Sequence, residues 1–146
     1  MKVLLQRVQR AAVEVEGKLV GSINAGLLLL TGIAQSDNTQ TVEAMAKKIS
    51  NLRIFPDQRG KFDQSLRDIG GAALVVPQFT LFADTSKGRR PEFFAAMQPD
   101  VAAPLCDKFA EQLKAEGIST VEKGIFGAHM LVSLVNDGPV TMMIEL

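Results

Sequence analysis

Three polar segments rich in glycine or proline lie where predicted strands end, and they are the places where chemistry is expected. Residues 77–81 read Pro-Gln-Phe-Thr-Leu, residues 87–91 read Lys-Gly-Arg-Arg-Pro, and residues 136–141 read Asn-Asp-Gly-Pro-Val-Thr. Loops at strand ends often carry binding and catalytic groups. Taken alone, each segment is more typical of a bulge, a solvated loop or a hairpin turn. Taken together, the three segments favour a functional site.

Few side chains in this sequence suit acid–base or metal chemistry. The chain has one histidine, His129, and one cysteine, Cys106. A histidine metal cluster and a cysteine-based zinc site are therefore not expected, and any Ser-His-Asp mechanism would have to use His129. Thr80 offers a hydroxyl nucleophile, but its motif supplies no adjacent base. We expect no metal and no cofactor, and mainly structural roles for His129 and Cys106.

Length and charge limit the class of protein. The chain has 146 residues, with 16 basic residues, 16 acidic residues and a formal net charge of zero. We expect one domain spanning residues 1–146, which can bury roughly 68–70% of its unfolded surface. Zero net charge argues against a broad phosphate-binding face, so an RNA partner would have to be contacted locally. No apolar run approaches the ~20 residues of a membrane span, and a single cysteine is typical of a reducing compartment, so a cytoplasmic protein is expected.

The first half of the chain predicts strands followed by a helix. Apolar and polar residues roughly alternate over residues 3–23, and Gly17-Lys18 suits a tight turn, which indicates a β-hairpin. Residues 27–33 are typical of a short strand that is buried on both faces. Asp37 or Asn38 can cap the helix that follows. The apolar positions of this helix recur at helical spacing: Val42, Met45, Ala46, Ile49 and Leu52.

The middle of the chain predicts a loop and an interrupted strand. Residues 56–60 are rich in turn-forming types, and residues 72–82 are strongly apolar. Proline donates no ladder hydrogen bond, so Pro77 indicates that the strand bulges or ends there. Residues 78–80 are then free for another purpose.

The last third predicts helices and three short strands. Pro91 suits the first turn of a helix reaching Met97, and Pro99 restarts a helical pattern that ends at Gly117. Residues 136–139 indicate a turn between the last two strands. The three strands are expected at residues 120–123, 130–135 and 140–146. The order of elements indicates one mixed α/β domain in which packed, barrel-like sheets carry helices on one face.

Two of the polar segments match motifs of a known protein family. Residues 78–81 and 136–141 resemble the two signature motifs of the D-aminoacyl-tRNA deacylases. Further family landmarks follow in the expected order along the whole chain: residues 6–8, 52–55, 60–61, 65–66, 87–91 and 124–128. The resemblance implies β/β/α layers and a homodimer with its active site at the subunit interface. It also implies hydrolysis of the ester between a D-amino acid and the 3′-terminal adenosine of tRNA, and removal of glycine from non-cognate tRNA.

The resemblance assigns catalytic roles to Gln78, Phe79 and Thr80. An aminoacyl ester is already activated, so positioning and hydrogen-bond donation to the developing oxyanion can supply much of the catalysis. The backbone amides around Phe79 and Thr80 are the candidate donors. We expect Thr80 to position the substrate, while the neighbouring 2′-hydroxyl of the substrate assists water.

A second group of residues is implied in substrate binding and chiral selection. In the family, the peptide equivalent to Gly138-Pro139 is cis, and its carbonyls enter the partner subunit's pocket, where an L side chain would collide with them. Asn136 begins the same motif. Arg7 is a candidate for bonding to the carbonyls of this turn or is an ordinary surface arginine. Phe126 either stacks on the adenosine or packs in the core.

The basic loop at residues 87–91 is a candidate tRNA contact, and Pro77 departs from the family pattern. Lys87, Arg89 and Arg90 can contact tRNA phosphates, although a solvated cationic loop would look the same. No DNA or membrane partner is expected. Pro77 occupies a position where the family usually has serine, so a hydroxyl and an amide donor are lost. The alternative function is therefore a noncatalytic RNA-end or protein-interaction module on the same fold.

Overall fold

The computed structural model describes residues 1–146 and contains eight β-strands, two α-helices and one 3₁₀ turn. The strands are β1 (Lys2–Val15), β2 (Lys18–Ile23), β3 (Gly26–Gly32), β4 (Phe55–Pro56), β5 (Phe62–Gln64), β6 (Ala72–Pro77), β7 (Thr120–Lys123) and β8 (Met130–Glu145). The helices are α1 (Thr39–Ser50) and α2 (Pro99–Ala115), and the 3₁₀ turn spans Phe79–Phe82.

The predicted N-terminal hairpin is confirmed, and its first strand organises the sheet. Glu16 and Gly17 form the turn with φ values of 51° and 73°, the left-handed backbone that suits a two-residue hairpin. One edge of β1 pairs with β3 through residues 2–8 and with β2 through residues 11–15. Its other edge pairs with β8. Strand β1 therefore belongs to two layers.

Strands β3 and β6 are buried on both faces, as predicted for residues 27–33. They pair in parallel, and β6 pairs in parallel with β7. Leu27 and Leu29 pack into the cluster shared with both helices, whereas Leu28 packs into a second cluster with Val13 and Ile23 of the hairpin. The alternation follows from the two-residue period of a strand. The helices cover one face and the curled hairpin covers the other, which confirms the β/β/α layers.

A close backbone contact nearly closes the sheet into a barrel. A Cβ atom on Gly21 of β2 would lie 2.9 Å from the carbonyl oxygen of Lys123 in β7. Real Cβ atoms do not approach backbone oxygen this closely, so glycine permits the approach. Strands β2 and β7 lie at opposite ends of the hydrogen-bonded path and meet here.

Both long helices begin and end at the expected signals. Asn38 is the N-cap of α1, and its side chain accepts a hydrogen bond from Thr41 N at 3.1 Å. Asp37, the other candidate cap, instead accepts from Ala34 N at 2.6 Å. Helix α2 runs to Ala115 and is followed by Gly117 at a φ of 97°. Neither helix has the length and apolar character needed to cross a membrane.

The predicted helix from Pro91 to Met97 is wrong. Asp84 and Glu92 exchange backbone hydrogen bonds of 2.8 and 3.0 Å, and Met97 N donates to Ile33 O at 2.9 Å. These long-range bonds use the amides and carbonyls that a helix would pair internally. The segment is therefore an irregular strap across the sheet.

The prediction of two separate final strands is also wrong. Both halves of β8 pair with β1, so the chain does not reverse between them. Thr141 pairs with Gln6 and Asn136 pairs with Val8, which leaves residues 137–140 opposite Arg7 alone. The turn-like composition of these residues is accommodated as a large bulge. We call residues 137–140 the bulge loop.

Candidate active site

A cavity of about 530 Å³ lies beside the end of β6. Pro77, Gln78 and Phe79 line one side, and Phe126 and His129 line another. Most of the other lining side chains are apolar, including those from the start of α2. This size and lining are typical of a pocket for a small organic group, such as a nucleoside.

The end of β6 leaves backbone donors beside the cavity. Gln78 N donates to Thr31 O at 2.7 Å and makes the last ladder bond. The chain then turns into the 3₁₀ segment, whose first amides have no carbonyl partner within the turn. No hydrogen bond of the turns and loops uses the amide of Phe79 or Thr80 as donor. The structure therefore retains the two donors that the sequence suggested.

Thr80 has a partner suited to positioning. Its hydroxyl oxygen accepts a hydrogen bond from Gln78 Nε2, and both side chains are accessible to solvent. Thr80 does not line the cavity wall, whereas Gln78 does. No imidazole or carboxylate contacts the Thr80 hydroxyl. Nothing in this arrangement activates Thr80 as a nucleophile.

The cavity also contains two residues to which the sequence assigned mainly structural roles. His129 and Cys106 both line it. Burial raises the pKa of the Cys106 thiol to about 12, with a smaller contribution from Asp107. The thiol is therefore protonated at neutral pH and is not a nucleophile. His129 directly follows the family landmark at residues 124–128, and this position is the sequence signal that could have placed it at the cavity.

Aromatic residues form the rest of the cavity rim. Phe126 is half-buried, lines the cavity and also packs against the main core, so its two interpretations are compatible. Phe93 meets Phe79 edge to face, with ring centres 5.0 Å apart. Sequence reasoning missed Phe93 because it placed this residue on a helix. The contact holds the exposed Phe79 ring beside the cavity.

Asn136 closes the base of the bulge loop. Its side-chain amide donates to Arg7 O at 2.8 Å and to Val140 O at 3.2 Å. Gly138 and Pro139 lie exposed at the tip, and the peptide bond between them is cis, as the resemblance implied. Asn136 therefore ties the two sides of the loop to each other and one side to β1.

Arg7 lies under the bulge loop and is only 6% exposed. Its Nη1 donates to Ile54 O at 2.5 Å, and its Nε lies 2.8 Å from Asp137 Oδ2. The partners of Arg7 are thus the Asp137 carboxylate and Ile54, in place of the expected carbonyls of Gly138 and Pro139. Arg7 still lies directly beneath the turn that it was expected to hold.

The predicted site residues fall into two groups within one chain. Gln78, Phe79 and Phe126 line the cavity, whereas Arg7 and residues 136–139 do not. The two groups are displayed by different parts of the sheet. Each chain therefore carries a cavity and, separately, an exposed bulge loop.

The basic loop lies outside the cavity lining. Lys87, Arg89 and Arg90 are all exposed. Hydrogen bonds from the side chain and the amide of Ser86 lower the pKa of Asp84, so this carboxylate is ionised at neutral pH.

No group of three or more histidine, cysteine, aspartate or glutamate residues is arranged to hold a metal ion.

The geometry of the cavity and its backbone donors indicates the class of site. A largely apolar cavity beside free backbone donors, with no activated nucleophile, suits a hydrolase that positions a substrate whose bond is already reactive. The family model described as D-Tyr-tRNA(Tyr) deacylase matches residues 4–145. The chain belongs to this family.

Similar proteins extend over the whole chain. A D-aminoacyl-tRNA deacylase of Chloroflexus aurantiacus is 56% identical, covering 99% of this chain and 90% of that protein. One of Thermomicrobium roseum is 57% identical, covering 99% and 94%. The solved structure of a protein called c-Myc DNA Unwinding Element Binding Protein has a TM-score of 0.93 and 40% identity, covering 100% of this chain and 99% of that one. A probable eukaryotic D-amino acid tRNA deacylase has a TM-score of 0.88 and 20% identity, covering 99% and 98%, and shows the shared fold.

Proposed function

We propose that the protein hydrolyses the ester bond between a D-amino acid and the 3′-terminal adenosine of tRNA. The observation that carries the proposal is the 56% and 57% identity, over 99% of the chain, to proteins named D-aminoacyl-tRNA deacylase. The activity recycles mischarged tRNA and extends to glycine on non-cognate tRNA. It takes place in the cytoplasm, where tRNA is charged, and requires no cofactor.

The chemistry rests on backbone donors. The ester carbonyl lies against the amides of Phe79 and Thr80, which stabilise the oxyanion as water attacks. One donor of this kind is worth about 2.7–4 kcal/mol of transition-state stabilisation. The 2′-hydroxyl of the adenosine assists the water. Pro77 has no N–H to donate, so the amides of Phe79 and Thr80 supply the hydrogen bonds to the oxyanion.

Chiral selection comes from the bulge loop of a second subunit. Its Gly138 and Pro139 carbonyls face the α-carbon of the substrate and leave no room for an L side chain. A backbone barrier excludes every L residue, whatever its side chain, and admits D residues and glycine. The separation of cavity and bulge loop within one chain supports this arrangement.

The homodimer is also part of the proposal. Strand β8 is sixteen residues long and pairs only with β1, so its outer edge is open. Leu131 is 60% exposed and Met143 is 43% exposed on this strand. An open edge with apolar side chains is typical of a surface that pairs with another chain.

Recognition of the tRNA end is local. Phe126 stacks on the terminal adenosine, and Lys87, Arg89 and Arg90 contact phosphates of the acceptor end. Zero net charge supports a small contact area. One structural relative is named for binding a DNA unwinding element, and the zero net charge of this chain does not favour such binding.

We expect Thr80→Ala to keep D-aminoacyl-tRNA hydrolysis within about tenfold of the wild-type rate. The variant loses one hydrogen bond from Gln78, worth about 0.5–1.5 kcal/mol, and keeps the backbone amides. Single-turnover kinetics with saturating enzyme measure the effect. Complete loss of hydrolysis with unchanged tRNA binding would instead make Thr80 the nucleophile.

Release of amino acid from D-aminoacyl-tRNA by the purified protein tests the proposed function. Catalytic turnover well above the protein concentration is the expected result. Tight binding of charged tRNA without turnover would overturn it and favour a noncatalytic RNA-end module. His129→Ala is the companion variant, and its retained turnover would exclude a mechanism that needs an imidazole base.

A further inference from the structure

The charge of Arg7 is enclosed by a hairpin outside the main sheet. Strands β4 and β5 form their own two-stranded sheet, with Phe55 opposite Gln64. We call residues 53–64, which contain both strands, the 53–64 hairpin. The hairpin supplies the Ile54 carbonyl to Arg7 Nη1 and places two aromatic rings against the guanidinium. The guanidinium carbon lies 5.9 Å from the ring centre of Phe55 and 5.7 Å from that of Phe62.

The contacts from the hairpin matter because the ion pair between Arg7 and Asp137 is not a well-aligned hydrogen bond. Arg7 Nε lies 2.8 Å from Asp137 Oδ2, yet the Nε–H group has no hydrogen-bond acceptor in line with it. The attraction between the two charges therefore does not by itself fix the orientation of the guanidinium. A buried charge needs satisfied hydrogen bonds as well as a counter-ion. The remaining contacts that orient the guanidinium come from the hairpin.

The hairpin is fastened independently of Arg7. Arg53 Nε donates to Asp63 O at 2.5 Å, and Arg53 Nη2 pairs with the Asp63 carboxylate. Asp57 Oδ1 accepts from the amides of Arg59 and Lys61 at 2.8 and 2.9 Å and shapes the turn. Phe62 is nevertheless 54% exposed, so burial alone does not account for its position.

We propose that Phe62 is a positioning residue for chiral selection, and that it acts through Arg7 and Asp137 on the bulge loop. Phe62 holds one side of the guanidinium, Arg7 holds the Asp137 carboxylate, and Asp137 directly precedes Gly138. The 53–64 hairpin thereby determines specificity from outside the cavity. This inference rests on the proposed function.

A cation–π contact of this kind is worth about 0.5–2 kcal/mol, which converts to roughly twofold to thirtyfold in a rate ratio. We expect Phe62→Ala to lower the ratio of D- to L-aminoacyl-tRNA hydrolysis about fivefold to tenfold. The D rate should stay within threefold of wild type, because the cavity is untouched. Phe62→Tyr keeps the aromatic face and should restore the ratio.

The controls separate positioning from stability. Leu19→Ala removes a comparably exposed apolar side chain, 61% exposed on β2, and should leave the ratio unchanged. Phe62→Ala and Asp137→Asn should be non-additive in the ratio when combined, because both act on Arg7. Equal changes in the D and L rates, or a ratio unaffected by Phe62→Ala, would overturn the inference. A wild-type protein that fails to discriminate would instead overturn the proposed function.

Discussion

Asn136→Asp is expected to lower the ratio of D- to L-aminoacyl-tRNA hydrolysis by about 30-fold to 100-fold. The wild-type amide donates to Arg7 O and Val140 O at 2.8 and 3.2 Å. A carboxylate has no proton to donate and turns negative oxygen toward both carbonyls. Losing the two hydrogen bonds costs about 0.5–1.5 kcal/mol each, and opening the loop base displaces Gly138 and Pro139. Parallel rate measurements on the two charged tRNAs provide the ratio.

The chain offers a matched control for this substitution. Asn51 Nδ2 donates to Lys47 O at 2.7 Å at the end of α1, remote from the bulge loop. Asn51→Asp loses the same kind of bond and adds the same charge, so it should lower stability slightly and leave the ratio at the wild-type value. A similar loss of selectivity in both variants would contradict the role given to Asn136.

Leu131→Lys is expected to convert the proposed dimer to a monomer and to lower the ratio of D- to L-aminoacyl-tRNA hydrolysis at least 100-fold. Leu131 is an exposed apolar residue on the open strand β8, and a buried lysine opposes association. Within the chain, residue 131 pairs across the sheet with Glu14, so lysine suits the folded monomer. The ratio falls because the cavity loses the partner's bulge loop, which excludes L residues, while the backbone donors of Phe79 and Thr80 remain in place. Sedimentation, and single-turnover kinetics on both charged tRNAs at the same protein concentration, measure the two effects.

Val101→Lys is the control for the dimer experiment. Val101 is 51% exposed on α2, in the helical layer of the fold. Its variant should remain dimeric and active. Thermal unfolding should show both variants folded. A folded Leu131→Lys monomer with the wild-type ratio of D to L hydrolysis would contradict a shared active site.

Much of the fold was accessible from local sequence patterns. The turn at Gly17, the strand at residues 27–33 and the cap at Asn38 depend on neighbouring residues, and their side-chain types were sufficient. Pro77 likewise marked the end of β6 for a chemical reason contained in one residue. These elements position the cavity, so the location of Gln78 and Phe79 also followed.

The remaining features depend on long-range pairing. Residues 136–139 have the composition of a hairpin turn, and only their register against β1 shows that they form a bulge. The strap around Phe93 forms because its backbone bonds to residues 33–35 and 84. The Asp137 partner of Arg7 is 130 positions away in sequence. Such contacts leave no local periodicity to detect.

The most direct test is the hydrolysis rate of one tRNA carrying a D-amino acid, its L enantiomer or glycine. The protein should hydrolyse the D ester at least 100-fold faster than the L ester and should accept glycine. A backbone barrier on one side of the α-carbon excludes an L side chain, whereas a D side chain lies on the other side and glycine has none. Comparable rates for the D and L esters, or no hydrolysis of either, would contradict chiral selection by the bulge loop.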